Sequence, residues 1–189
     1  CRAMQTGFSP IMLEGVTGSG KTEVYFEAIE ACLKQHQQAM VLLPEIALTS
    51  QFMGRFEKRF GQEPALWHSG LTPAQRKKHY HAIITGKARL VLGARSALFL
   101  PYKNLGAIII DECHESSYKQ EDGVVYHARD MAVARAKHEN IGVCLVSATP
   151  SLETLHNVAL KKYQHFYLAK RFSDAHIPEI KPIDLRQEK

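Results

Sequence analysis

Eight residues near the start of the chain, Gly15-Val-Thr-Gly-Ser-Gly-Lys-Thr22, have the types and spacing to hold a polyphosphate. Gly15, Gly18 and Gly20 let the backbone curl so that successive N–H groups point at phosphate oxygens. A helix that follows aims its positive N-terminus at the same place. Thr17 and Ser19 complete the loop, Lys21 is positioned for the β and γ phosphates, and the Thr22 hydroxyl is a ligand for Mg²⁺. A chance Gly-rich turn is the bland alternative, but the context is the required one, with an apolar strand before and a helical pattern after.

Such a site needs an acidic partner at the end of a buried strand. Ala107-Ile-Ile-Ile-Asp111-Glu112 supplies two carboxylates directly after an apolar run. Ionised groups avoid the interior unless something compensates them, and a bound cation would do so. Asp111 is expected to hold Mg²⁺ through water, and Glu112 to orient or deprotonate the attacking water. The competing reading, in which both carboxylates merely cap the strand in solvent, loses weight beside the upstream loop. Lys21, Asp111 and Glu112 are therefore the candidate catalytic residues, and Thr22 and Asp111 the candidate metal ligands. These two segments alone specify an NTPase or a kinase.

Positioning those groups requires alternating strands and helices, and the sequence supplies them. Strands are expected at residues 11–14, 40–43, 65–68, 89–93, 105–111, 142–147 and 165–169. Helices are expected at 21–36, 47–60, from Thr72-Pro73 onward, 128–139 and 151–160. On the first helix Tyr25, Ile29, Cys32 and Leu33 form an apolar stripe at helical spacing. On the third, Arg76, Lys77 and Lys78 are expected to face outward and Tyr80, Ile83 and Ile84 inward. Alternation of this kind predicts an α/β fold, a mostly parallel sheet with helices on both faces, which binds ligands at the carboxyl ends of its strands.

The chain has 189 residues, of which 45% are hydrophobic and 23% charged, and its mean hydropathy is -0.22, values that suit one ordinary core. Net charge is +5 and the pI about 9.0, which permits a polyanion partner without requiring one. No apolar run is long enough to span a bilayer, so no membrane partner is expected. Cys1, Cys32, Cys113 and Cys144 lie far apart, which argues against a zinc site or a dithiol and suits a reducing cytosol. His79 and His81, two apart on a helix, face different ways and read as solvated surface.

Further segments carry a resemblance. Asp111-Glu-Cys-His114 resembles the D-E-x-H box of superfamily two helicases, and Ser147-Ala-Thr149 their S-A-T motif. Other segments are Pro44-Glu-Ile-Ala-Leu-Thr49, His68-Ser-Gly-Leu71, Gly93-Ala-Arg-Ser-Ala-Leu-Phe99, Tyr126-His-Ala-Arg-Asp130 and Ser147-Ala-Thr-Pro-Ser-Leu-Glu-Thr-Leu155. With these the chain resembles the bacterial PriA family of primosomal, replication-restart helicases over most of its length. The resemblance implies a RecA-like first motor lobe over residues 1–170 and a linker over 171–189 toward a second lobe. That second lobe would supply an arginine finger, so the chain alone is expected to bind ATP·Mg weakly and hydrolyse it slowly at best. The opening Cys1-Arg-Ala-Met looks like a cut from something larger, with the family's zinc expected only in other regions of the parent.

The same resemblance implies ATP and Mg²⁺ as cofactors and coupling roles for His114, Ser147 and Thr149. It implies DNA contacts from Pro44, Arg95 and Ser96 and from an aromatic-rich segment over residues 116–129 that includes Tyr118, Lys119, Tyr126 and Arg129. The parent would move 3′ to 5′ on single-stranded and forked DNA in the bacterial cytoplasm, with primosome and single-strand-binding proteins as partners. Structural alternatives remain open for several of these residues. Pro44-Glu45 could stop a strand, Ser147 and Thr149 could cap a helix, and Tyr118 and Tyr126 could be core aromatics rather than base-stacking ones. The chain departs from the family pattern at Cys113, where glutamate is expected, at Ala94, where threonine is usual, and near Val124–Val125, where a tryptophan is expected. A double-strand translocase, a small-molecule P-loop kinase and a non-catalytic nucleic-acid-binding module are the rival functions.

Overall fold

In the computed structural model, which describes residue 4 and residues 7–47 and 49–171, seven parallel strands form one sheet. They are β1 (Ser9–Gly15), β2 (Gln38–Leu42), β3 (Ala65–Trp67), β4 (Leu90–Gly93), β5 (Leu105–Ile110), β8 (Gly142–Ser147) and β9 (Gln164–Leu168). Their order is β3-β4-β2-β5-β8-β1-β9, and every neighbouring pair is parallel. The expected tail over residues 171–189 and its extended stretch at 177–182 lie outside the described residues, apart from Arg171.

β2, β5 and β8 are buried along their whole length, which is why they read as continuous apolar runs rather than alternating ones. Side chains leave each strand alternately to two cores. On one face, Leu13, Val41, Leu92, Ile109 and Val146 pack under α1 (Lys21–Lys34) and α2 (Ser50–Phe60). On the other, Met12, Met40, Val91, Ile108 and Leu145 pack under α3 (Pro73–Ile84) and α4 (Ala128–Glu139). Phe26 of α1 meets Phe56 and Phe60 of α2 edge-on at 4.7 and 5.3 Å. Pairs of this kind add about 0.5–1.5 kcal/mol each beyond their burial. A fifth helix, α5 (Leu152–Ala159), leads into the exposed edge strand β9. Among the described residues no helix is long and apolar enough to cross a membrane.

Two local expectations are corrected. The helix anticipated from residue 47 starts at Ser50, because the Thr49 hydroxyl accepts the Phe52 N–H and caps it there, and Glu45–Ala47 forms a separate 3-10 turn. Tyr80 was expected to face inward, yet it is 40% exposed and leans on Trp67 at a centroid distance of 6.2 Å. α3 sits at the β3 edge and fully buries Ile83 alone among its side chains, so the core there has no room or need for the ring. Its start follows the expected chemistry, with Thr72 and Gln75 forming a reciprocal cap and Pro73 in the first turn. A short antiparallel pair, β6 (Lys119–Gln120) with β7 (Tyr126–His127), gives the segment before α4 a hairpin that sequence patterning did not show.

Candidate functional site

The loops after β1, β2, β4, β5 and β8 all leave the carboxyl edge of the sheet, and that edge carries two concavities. The first is lined by residues 17–23, Arg55, Asp111 and Glu112. Gly18 and Gly20 sit at φ +80° and +86°, the left-handed region that favours glycine, and this brings α1 in behind the loop. Gly20 is the N-cap of α1 and offers no side-chain cap, so the first N–H groups of the helix are left for a ligand. A Cβ on Gly15 would come within 2.6 Å of the Ser19 hydroxyl and 2.9 Å of the Leu168 Cβ, so only glycine fits. The Ser19 hydroxyl is itself buried without a partner. An orphaned buried donor beside uncapped helix N–H groups is a site built for an anion.

Lys21 is 8% exposed, and its Nζ donates to the carbonyls of Gly15 (2.6 Å) and Val16 (3.3 Å). The ammonium is thus stored on its own loop, poised beside the place a phosphate would occupy. Across the cleft Asp111 directly follows β5 and is equally buried, with Oδ2 accepting the Tyr25 hydroxyl (2.9 Å) and Oδ1 the Glu112 N–H (2.9 Å). Burial raises the Asp111 carboxyl above the usual range, and the Tyr25 hydrogen bond partly offsets this. Burial, reinforced by Asp111, pushes the Tyr25 hydroxyl well above its ordinary value, so it stays a donor. Glu112 adopts φ +46°, a left-handed conformation costly for a non-glycine residue, and its half-exposed side chain faces the same cleft. Cys113, where the resemblance led to the expectation of a glutamate, is buried, and burial pushes its thiol up to about 12. It is a neutral core group.

The donor set fits a magnesium-bound nucleotide: a hydroxyl at Thr22, a hydrogen-bonded carboxylate at Asp111 and a cation at Lys21, all on one cleft. Behind it, His114 Nδ1 lies 2.8 Å from Ser147 Oγ, and Ser147 Oγ accepts the Thr149 N–H at 2.9 Å. Glu112 Oε2 is 3.6 Å from the same His114 nitrogen. The three residues expected to couple are therefore linked through the Ser147 hydroxyl, and His114 lies beside Glu112. Capping of α5 falls instead to Ser151, whose hydroxyl accepts the Thr154 N–H.

The second concavity is a groove lined by Pro44, Glu45, Ser69, Arg76, Arg95, Ser96, Tyr126 and their neighbours. Arg95 donates from Nη1 to the carbonyls of Ser117 (3.2 Å) and Lys119 (2.6 Å) and lies over the Tyr126 ring at 5.9 Å. Tyr126 meets Phe99 edge-on at 5.1 Å. Glu45 accepts the Ser69 hydroxyl at 2.9 Å, which ties the turn after β2 to the loop after β3. Lys119 is exposed and paired with Glu121.

Two residues expected to contact a strand are placed otherwise. Tyr118 is 1% exposed and donates its hydroxyl to the Asp111 carbonyl at 2.7 Å, so its ring belongs to the core and offers no face for stacking. Arg129 is 7% exposed, with its guanidinium held by Asp130 and by the Ser151 hydroxyl (2.7 Å). Both are braces of the site's scaffold. Conversely, sequence reasoning missed Tyr25 as a partner of Asp111, because its place on the apolar stripe of α1 marked it only as core. It also missed Arg55, on α2, as a wall of the nucleotide cleft. Its spacing from the loop carries no local signal.

The DEAD/DEAH box helicase family model matches residues 2–158. The replication restart protein PriA of Rickettsia conorii is 49% identical over 180 residues, covering 95% of this chain and 28% of that relative. The Haemophilus influenzae protein of the same name is 49% identical over 183 residues, 97% of this chain and 25% of that one. The Bacillus subtilis protein is 47% identical over 177 residues, 94% and 22%. The chain thus spans about a quarter of the length of the curated relatives it matches. Among solved structures, RecG bound to a three-way DNA junction superposes with a TM-score of 0.61 at 21% identity, covering 89% of this chain and 22% of that one. The Pyrococcus furiosus Hef helicase domain gives 0.59 at 17%, covering 85% and 35%. These likenesses establish the fold as that of helicase motor lobes. The chain belongs to the DEAD/DEAH box helicase family.

Proposed function

We propose that this chain is the first motor lobe of a longer ATP-dependent DNA helicase that acts in replication restart, as its PriA relatives are named for. The observation that carries the reading is the convergence of the Lys21–Thr22 loop and the Asp111–Glu112 carboxylates on one cleft. In this reading Lys21 leaves the Gly15 and Val16 carbonyls for the β and γ phosphates of ATP. Thr22, and Asp111 through water, would hold Mg²⁺, which when bound would neutralise charge developing on the phosphates. Glu112 orients the attacking water and takes its proton, and its left-handed backbone keeps the carboxylate turned into the cleft. His114, Ser147 and Thr149 form a polar link that moves with Glu112 and so registers the state of the nucleotide. A single strand lies along the groove at Pro44, Arg95 and Ser96, with Tyr126 at its wall; Lys119, whose carbonyl accepts from Arg95, would exchange its pairing with Glu121 for the strand's backbone.

The reading also includes an opposing lobe that contributes an arginine to the phosphates, an element worth roughly 10³–10⁵ in turnover. The 189-residue chain alone therefore binds ATP·Mg weakly and hydrolyses it slowly. Movement is 3′ to 5′ on single-stranded and forked DNA, in the bacterial cytoplasm, with primosome and single-strand-binding proteins as partners. Strand separation by the full-length protein tests this: forks with a 3′ single-stranded tail should open and forks with only a 5′ tail should not. ATP-driven movement along duplexes without any strand opening would overturn it in favour of a double-strand translocase.

A further inference from the structure

Between Glu63 and Asp111 the sequence contains no acidic residue and seven Lys or Arg, which leaves the remainder of the chain slightly acidic. Those seven are Arg76, Lys77, Lys78, Lys87, Arg89, Arg95 and Lys103. Among the described residues none of them pairs with a carboxylate. The cations Arg55, Arg59, Arg129 and Arg135, by contrast, all do. Three of the seven, Arg76, Lys77 and Lys78, lie together on α3, which packs on the edge strand β3, whereas Arg89 donates to the Leu33 carbonyl of α1 and Arg95 is held in the groove. Lys77, Lys78 and His81 share the outward face of α3 at helical spacing, and all three are exposed. Arg76, one residue earlier, lines the groove. The basic stripe therefore begins at the mouth of the groove and runs down α3 toward Lys87.

We propose that the outer face of α3 is a docking surface for the phosphate backbone of a DNA duplex, the arm that adjoins the strand in the groove. This rests on the DNA-motor reading above and adds to it a second contact surface. Charge complementarity names a polyanion, and the chemistry of the face favours a duplex over a further length of single strand. Single strands are held by open aromatic platforms, whereas the aromatics here are engaged. Trp67 is covered by the Arg76 guanidinium at 5.4 Å and leaned on by Tyr80. Tyr80 keeps 40% of its surface exposed while it leans on Trp67, and the lysines beside it are point charges on flexible stems, which read phosphates and not bases. The twelve residues of α3 span about 18 Å, roughly five phosphate steps along one strand of a duplex.

The test is the affinity of the protein for a fork with a duplex arm and for the same single strand without it, across a series of salt concentrations. Wild type is compared with Lys77→Glu/Lys78→Glu and with the milder Lys77→Gln/Lys78→Gln. Both positions are exposed on a helix, and circular dichroism checks that the variants fold. For the reversal the affinity for the fork should fall by about tenfold or more at 0.1 M salt, and the slope of log affinity against log salt should shrink by about two. The neutral pair should lose less, and binding of the bare single strand should stay the same. Unchanged fork affinity and slope in a protein that binds forks would overturn the proposal and leave the motor reading standing. Equal losses on fork and single strand would overturn the duplex assignment. If wild type binds neither DNA, the motor reading fails and takes this surface with it.

Discussion

The two concavities on the carboxyl edge of the sheet are built in opposite ways. In the nucleotide cleft the fold has already settled its key groups: Lys21 lies on two loop carbonyls, and both oxygens of Asp111 accept hydrogen bonds. The groups come from two strand ends and the helix between them, so a ligand has only to exchange one set of local contacts for another. The groove is assembled from four separate segments, after β2, β3, β4 and β5, held to one another by Arg95 and by the Glu45–Ser69 bond. An anion that draws Arg95 away loosens the carbonyls of Ser117 and Lys119 at the same time. Between those two carbonyls sits Tyr118, tethered to the main chain of Asp111. One site is rigid and prepared; the other is adjustable and wired to the first.

Four substitutions sharpen or break that contrast. Lys21→Ala removes the stored cation, and affinity for an ATP analogue with Mg²⁺ should weaken by roughly a hundredfold or more, about 3 kcal/mol, as read by fluorescence titration. Tyr25→Phe leaves one oxygen of a buried carboxylate without its donor. It should cost about 1.5–3 kcal/mol of folding stability by denaturant titration, and it should reduce the gain in nucleotide affinity that Mg²⁺ provides. If neither changes, the cleft is not held in the way described. Arg95→Ala should weaken DNA binding by about tenfold and lower the salt slope by about one. Loss of nucleotide affinity with no loss on DNA would reverse the assignment of the two sites.

The smallest effect concerns charge. Burial raises the Asp111 carboxyl, so the native state holds its proton more tightly than the unfolded chain does. Stability is then lost as pH rises through the raised folded value, and at neutral pH the ionised group is a net cost. Asp111→Asn can still accept the Glu112 N–H and can donate to the Tyr25 oxygen. It should raise the melting midpoint at neutral pH while impairing nucleotide binding with Mg²⁺. The gap should close as pH falls below the raised value. A lower midpoint for the variant at neutral pH would contradict the account.

Much of the molecule was legible in the sequence for physical reasons. Fully buried parallel strands such as β5 and β8 are unbroken apolar runs, and the phosphate loop announces itself because its glycines are needed one by one. What escaped were contacts across long sequence separations. Tyr25 and Asp111 are far apart in the chain, and on a helical stripe a tyrosine that anchors a carboxylate looks like any core aromatic. Tyr118 and Arg129 were expected at the DNA from the family resemblance, with a core place for Tyr118 left open, yet they turn inward to the Asp111 carbonyl and the Ser151 hydroxyl. Tyr80 failed in the other direction, since helical periodicity cannot tell that α3 lies at the edge of the sheet.

ATP turnover by the full-length protein, measured with and without forked DNA and beside Lys21→Ala, tests the central claim most directly. The account predicts turnover that rises manyfold with DNA and is lost in the variant. Turnover indifferent to DNA, or dependent on a small-molecule phosphate acceptor, would contradict it.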